Sequence, residues 1–368
     1  MMQEGLLKNE ERAIMKLRAL YRSRGYLPYK MSKFEEYDLY VRNKDFLVSD
    51  RIITFNDTNG RLMALKPDVT LSIIKNGEDE KGVKQKVYYN ENVYRVSGST
   101  NQYKEIMQAG LECIGDIDAY DVFEAVALAA ESLSLISADF VLDVAHLGIL
   151  TALLDGIGAD QQLRREIAAC IAGKNRHELA RVCAEASVSA EQTDRLCRFI
   201  GIYGSPDRVL RELEPLCESE DARGAYRELE QLSALLLQTP FADRIRFDFS
   251  IVNDMNYYNG IVFRGFLSGI CEGVLSGGCY DKLMARMGRS ARAIGFAIYL
   301  DLLEGLSPSS AGYDVDVLLL YSEDTDVELL ARKVGELTEQ GMTVSAQREI
   351  PKKLRYRECI RLGKEERA

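Results

Sequence analysis

The residues of this 368-residue chain that could do chemistry are the ones that interrupt its apolar segments. In "EIMQAGLECIG" (105–115), Gln108, Gly110 and Glu112 alternate with Met107, Ala109, Leu111 and Cys113, so a strand here carries a polar face with a carboxylate near its middle. Burying that carboxylate is costly without a partner. Two readings stand: a strand with one solvated face, or a pocket floor that offers an acceptor to a cationic or amide-bearing ligand. "NDMNYYNGIVF" (253–263) sets Tyr257 and Tyr258 among Asn253, Asp254, Asn256, Asn259 and Gly260, which reads either as an Asn-rich turn or as the edge of a polar aromatic pocket. "LSGGCYDKL" (275–283) places Gly277-Gly278 between a strand and a helix, as a tight turn or as a close approach of backbone to a ligand.

Composition removes several chemistries. The 47 Lys+Arg against 57 Asp+Glu leave a net charge of −10, the wrong sign for a general nucleic-acid binder. His146 and His177, the two histidines, are far apart, which excludes a multi-histidine metal site and disfavours a histidine catalytic pair. They read as ordinary structural or surface residues. The eight cysteines form no CxxC and read as reduced core residues of a cytosolic protein. The charged N-terminus does not read as a secretory signal, and no apolar run reaches the ~18 residues of a membrane span.

The elements that must hold these residues follow from periodicity. Residues 6–24 have a helical period with Ile14, Leu17 and Tyr21 on one face and Gly25 as the stop. "RIITFND" and "RLMALK" flank Asn59-Gly60 as a hairpin. "KVYYNENVYRV" (86–96) and 105–115 read as two strands joined by "SGSTNQ", and Asp121–Leu135 as a helix. Residues 150–240 lose strand alternation and read as an insert of four or five helices. "RIRFDFSIV" (244–252), "GIVFRGFL" and "GVLSGGCY" read as strands, and "ARAIGFAIYLDLLEGL" (291–306) as an apolar helix. After the linker "SPSSAGY", "DVDVLLLY", "DVELLARKVGELTEQG" and "MTVSAQ" begin a βαβ unit that looks abbreviated. The pattern is α+β: an antiparallel domain over 1–310, split by the helical insert, and a short α/β piece over 311–368.

The order of "MALKPDVT", "NVYRVSGSTNQYKEIMQAGLECIG", "IVNDMNYYNGIVF", "LSGGCYDKL" and "AIGFAIYLDLL", with the insert between the second and third, resembles histidyl-tRNA synthetase and its relatives over roughly residues 5–365. The resemblance implies a class II synthetase fold, an antiparallel sheet flanked by helices, with a truncated anticodon-binding-like module at the end. By it, Asp68 and Thr70 stand at the "PE-T" positions. Arg95, Gln108 and Glu112 lie in motif 2, Tyr257 and Tyr258 in the histidine motif, and Gly277, Gly278 and Tyr280 in "GGRYD". These ten residues are the implied histidine-binding set, and acidic and amide acceptors suit the ammonium and imidazole of that ligand.

The departures from the family lie at the nucleotide. The motif 3 arginine that clamps ATP phosphates is Leu302, and a glycine beside the adenine is Tyr299. The arginine of "RGLDYY" is Asn253, the glutamate of the motif 2 "RxE" is Ser97, the Arg-rich "GRYRQF" is "NQYKEI", and the motif 1 proline is Ser32. A leucine offers neither charge nor donor to a phosphate, and each lost donor costs ~10²–10³ in rate. A histidine pocket without adenylation is similar to the non-catalytic branch of the family, which partners the short-form ATP phosphoribosyltransferase catalytic subunit in the first step of histidine biosynthesis. That likeness implies no catalytic residue, no cofactor and no metal in this chain. It further implies a dimeric core, histidine as effector, no tRNA or membrane partner, and a cytoplasmic location. The alternatives are a divergent histidyl-tRNA synthetase and a histidine sensor with another partner.

Overall fold

A computed structural model describes residues 8–43, 47, 51–77, 82–97, 100–254, 257–306 and 313–362, the side chains of 252–254 and 305 excepted. The chain divides into two compact units, one spanning Glu10–Leu306 and one holding Ser307–Ala368 with the first nine residues. The larger opens with α1 (Asn9–Ser23), β1 (Leu27–Pro28), β2 (Phe34–Glu36), α2 (Tyr37–Arg42), β3 (Thr54–Asn56), β4 (Leu62–Leu65) and α3 (Thr70–Asn76). The ribbon β5 (Lys84–Val96) and β6 (Tyr103–Gly115) follows, then α4 (Ala119–Ile136) and β7 (Phe140–His146). The insert comprises α5 (Leu147–Gly156), α6 (Gln161–Ala172), α7 (Arg176–Glu185), α8 (Ala190–Phe199), the two-residue β8 (Tyr203–Gly204), α9 (Pro206–Leu213) and α10 (Glu220–Leu236). β9 (Ile245–Asp248), β10 (Ile261–Leu267), β11 (Leu275–Cys279), α11 (Asp281–Arg286) and β12 (Arg292–Tyr299) complete it.

Nine strands form one sheet in the order β1-β5-β6-β12-β11-β10-β7-β9-β8. Its central members pair antiparallel, and β1 with β5 and β7 with β9 pair parallel. One face carries Leu111, Cys113, Ile294, Phe296 and Phe263 into a core shared with Leu17 and Tyr21 of α1 and Val126 and Leu133 of α4. The other face packs at one end against α3 and α11 through Leu71, Ile74, Leu283 and Met284, and its middle is polar. That division is the alternation of 105–115 carried across the sheet.

Three sequence expectations need correction. Residues 292–299 form β12, not a helix, and a 3₁₀ turn (Leu300–Gly305) follows. β12 lies between β6 and β11 and is covered on both faces, so its residues are apolar without alternation, which a buried helix also shows. β9 stops at Asp248, because the Asp248 carboxylate accepts the Ser250 N–H at 2.8 Å and turns the chain into a 3₁₀ segment. The insert holds six helices rather than four or five. Phe296 sits where β12 meets the core, its ring 6.1 Å from those of both Tyr21 and Phe263. Phe296→Ala should cost about 3–5 kcal/mol in a urea melt, and a loss under 1 kcal/mol would return this segment to a peripheral position.

The smaller unit is a parallel sheet in the order β14-β13-β15, from β13 (Val315–Leu320), β14 (Val344–Gln347) and β15 (Tyr356–Arg361), with α12 (Val327–Glu339). β15 is a third strand beyond the expected βαβ start.

Candidate functional site

Residues in register across a sheet share a face, and three such rows build the site. Val87, Glu112, Gly295, Gly278 and Val262 form the first. Tyr89, Gly110, Ala297, Ser276 and Arg264 form the second, and Glu91, Gln108 and Tyr299 the third. Small residues thus floor the middle of the sheet, with aromatic and polar side chains at the margins.

Glu112 is 2% exposed. The Thr70 hydroxyl donates to its Oε1 at 2.8 Å and the Tyr280 hydroxyl to its Oε2 at 2.6 Å. Burial pushes its pKa up to about 8, the two hydroxyl bonds act against that, and the charge of Asp68 adds to it. Both donors are neutral, so the carboxylate has acceptor capacity left for a cation. Its place depends on a missing side chain. A Cβ on Gly295 would lie 1.7 Å from Glu112 Oε2. Gly110 is constrained in the same way, since its Cβ would lie 2.3 Å from the Phe296 carbonyl and 2.5 Å from the Tyr89 hydroxyl.

Aromatic rings stand beside the carboxylate. The Tyr257 and Tyr258 centroids are 4.6 Å apart in an edge-on pair, and Tyr257 lies 6.0 Å from Tyr280. Such walls favour cations and heteroaromatic rings. Burial raises the hydroxyl pKa values of Tyr257, Tyr280 and Tyr89, so all three remain donors. Asp68 precedes α3, accepts the Leu71 N–H at 2.9 Å, and has its pKa raised by burial. Arg95 Nε donates to the Pro67 carbonyl at 3.0 Å, and its charge acts on Asp68. Behind them Lys66 is fully buried and paired with Glu91 at 3.0 Å.

The structure therefore brings Thr70, Glu112, Tyr257, Tyr258 and Tyr280 together, with Asp68 and Arg95 at one side, Gln108 four residues (two rows) along β6 and Gly278 in the same row as Glu112. Gly277 is not brought there. It points to the core face, where a Cβ would lie 2.4 Å from Phe296 Cβ and 2.6 Å from a Phe263 ring carbon. Adjacent residues of a strand face opposite ways, so only one of the two glycines can serve this site. Tyr89 and the placing role of Gly295 are not among the residues the sequence singles out: a glycine inside a strand signals close approach, but 291–306 reads as a helix.

The family model of histidyl-tRNA synthetase matches residues 3–303. The chain belongs to that family. A curated relative from Oceanobacillus iheyensis, an ATP phosphoribosyltransferase regulatory subunit, is 28% identical over 320 residues, 85% of this chain and 78% of the relative. A crystal structure of an ATP phosphoribosyltransferase regulatory subunit/histidyl-tRNA synthetase from Bacillus halodurans superposes with a TM-score of 0.77 at 23% identity, covering 98% of this chain and 96% of that one. A chain of the ATP phosphoribosyl transferase (HisG:HisZ) complex from Thermotoga maritima gives a TM-score of 0.63 at 19% identity, over 79% and 97%. The fold is of the class II synthetase type, a large sheet flanked by helices.

Leu302 sits in the 3₁₀ turn after β12 and packs against the main apolar core. Tyr299 stands in register with Gln108 on the polar face. Met255 and Asn256 lie outside the described residues, and so does the side chain of Asn253. His177 is exposed, but His146 is buried and hydrogen-bonded at both ring nitrogens, so it is no surface residue. Among the described residues no helix is long and apolar enough to cross a membrane.

Proposed function

We propose that this chain is a non-catalytic regulatory subunit of ATP phosphoribosyltransferase, which assembles with the short-form catalytic subunit in the cytoplasm and carries the histidine feedback site. The observation that carries the reading is a contrast within one sheet face. The acceptor set around Glu112 is intact and enclosed by tyrosines. At the motif 3 end, the position of the family's phosphate-clamping arginine is a half-buried leucine that packs against the core. Binding of an amino acid is thus supported where gripping a nucleotide triphosphate is not. The names of the relatives along 85% of the chain point to the same partner.

In this reading histidine lies on the glycine floor with its cationic groups toward Glu112, Asp68 and Gln108 and its ring beside Tyr257 and Tyr258. No tRNA is bound and the core is dimeric. Histidine acts by binding one state of the assembly better than the other. Co-expression with a short-form catalytic subunit tests this directly. Phosphoribosyl-ATP formation should depend on this chain and fall when histidine is added, and the isolated chain should give no histidine-dependent ATP–pyrophosphate exchange. Robust exchange by the chain alone would make it a synthetase instead.

A further inference from the structure

The segment that carries Tyr257 and Tyr258 is held from behind by a corner at His146. His146 ends β7 and stands in register with Ile261, the first residue of β10. The next residue, Leu147, donates its N–H to the Gly260 carbonyl at 2.8 Å. Gly260, at φ +80°, ends the short segment that carries Tyr257 and Tyr258. The corner therefore fixes where that segment enters the sheet.

The same imidazole reaches the insert. Its Nδ1 accepts the Gly148 N–H at 3.1 Å and caps α5, which places the ring proton on Nε2. Nε2 lies 3.1 Å from the Glu228 carboxylate on α10. That bond, first among its causes, holds the Glu228 carboxyl below its usual range. α5 and α10 touch at the same level, where a Cβ on Gly148 would lie 3.1 Å from Ala225 Cβ. Beside this contact is an open cavity of about 520 Å³, lined by Asp155 and Glu228 of the insert, His146 at the end of β7, Tyr258 and Asn259 of the tyrosine segment, and Lys282 of α11. Tyr258 lines this cavity on one side and packs against the apolar cores on the other, so it lies between the site and the corner.

We propose that His146 is a positioning residue that links the tyrosine segment of the amino-acid site to helix α10 through Glu228, so that the insert and the occupancy of the site are coupled. The inference rests on the histidine-site reading above. Coupling of this kind is reciprocal: an occupied site steadies α10, and a displaced α10 weakens the site.

Three single variants and one double variant separate this role from simple packing. His146→Asn keeps an oxygen to cap Gly148 but cannot span to Glu228. Glu228→Ala removes the acceptor from an exposed position, and Glu228→Gln restores one. Histidine affinity is measured by titration calorimetry on the full chain, and amide exchange of 220–236 is followed with and without histidine. His146→Asn and Glu228→Ala should each weaken histidine about fivefold, the size of one hydrogen bond. The double variant should be no worse than either alone, and Glu228→Gln should bind nearly as the native chain does. Histidine should slow exchange in α10 of the native chain and not of Glu228→Ala. Native binding with unchanged affinity in both single variants, or losses that add, overturns the coupling alone. Absence of histidine binding by the native chain overturns the site reading and the coupling with it.

Discussion

Glu112→Gln is expected to weaken histidine inhibition of the assembled transferase at least tenfold while making the chain more stable at alkaline pH. The carboxyl is buried, its pKa is pushed up to about 8, and among the described residues its side-chain partners are two hydroxyls. A glutamine of the same shape still meets both hydroxyls, because either can turn to donate or accept. It cannot carry charge, so the ligand loses its ionic partner, at a cost of about 2 kcal/mol or more and at least tenfold in the histidine concentration for half inhibition. Stability moves the other way. The native pKa lies above the unfolded value, so the stability this group confers is full below about pH 4.5 and is lost as pH rises toward 8, where the unfolded chain ionises and the native one does not. At ~1.4 kcal/mol per pH unit the loss has a ceiling of roughly 5 kcal/mol. Calorimetric melts should show the two proteins similar at pH 5 and the variant ahead at pH 8.5. A variant that melts lower than native at pH 8.5 would mean that a cation already neutralises Glu112.

How far the site was legible depends on sequence distance and strand parity. The alternation of Gln108, Gly110 and Glu112 is local, and it marked the polar face correctly. So was the Asn59-Gly60 hairpin, where the Asp57 carboxylate accepts both the Asn59 and the Arg61 N–H and Gly60 takes φ +78°. The partners of Glu112 are another matter. Thr70 and Tyr280 stand 42 and 168 residues away along the chain, and only the family resemblance brought them near. β12 was unreadable as a strand because burial on both faces erases the period of two, and with it went the facing of Gly295. The two glycines of "LSGGCYDKL" could not be told apart until β11 was paired. Register with Gly295 then turns Gly278 to the polar side and Gly277 to the core. His146 was discounted because a lone histidine carries no pattern, and its two bonds reach a helix cap and a residue 82 positions on.

Gly295→Ala should weaken the histidine response at least as much as Glu112→Gln, with the opposite effect on stability. The added Cβ would fall 1.7 Å from Glu112 Oε2, 2.5 Å from its Cδ and 2.6 Å from the Leu111 carbonyl. The carbonyl belongs to the neighbouring strand and is held in the ladder, so the carboxyl gives way first. Turning it aside breaks the bonds from Thr70 and Tyr280 and leaves two hydroxyls and a carboxyl in a buried space without partners. At about 1–3 kcal/mol for each unsatisfied group, part of it recovered by relaxation, a loss of about 2–4 kcal/mol follows. The cause can be isolated by removing the obstructing side chain as well. In Glu112→Ala/Gly295→Ala the steric conflict with the carboxyl is gone and only the contact with the Leu111 carbonyl remains. The double variant should therefore regain part of the stability that Gly295→Ala loses, a coupling of about 1 kcal/mol or more in urea melts, while staying insensitive to histidine. Simple addition of the two single effects, or a Gly295→Ala protein inhibited by histidine as the native chain is, would show that the carboxylate does not lie over the glycine.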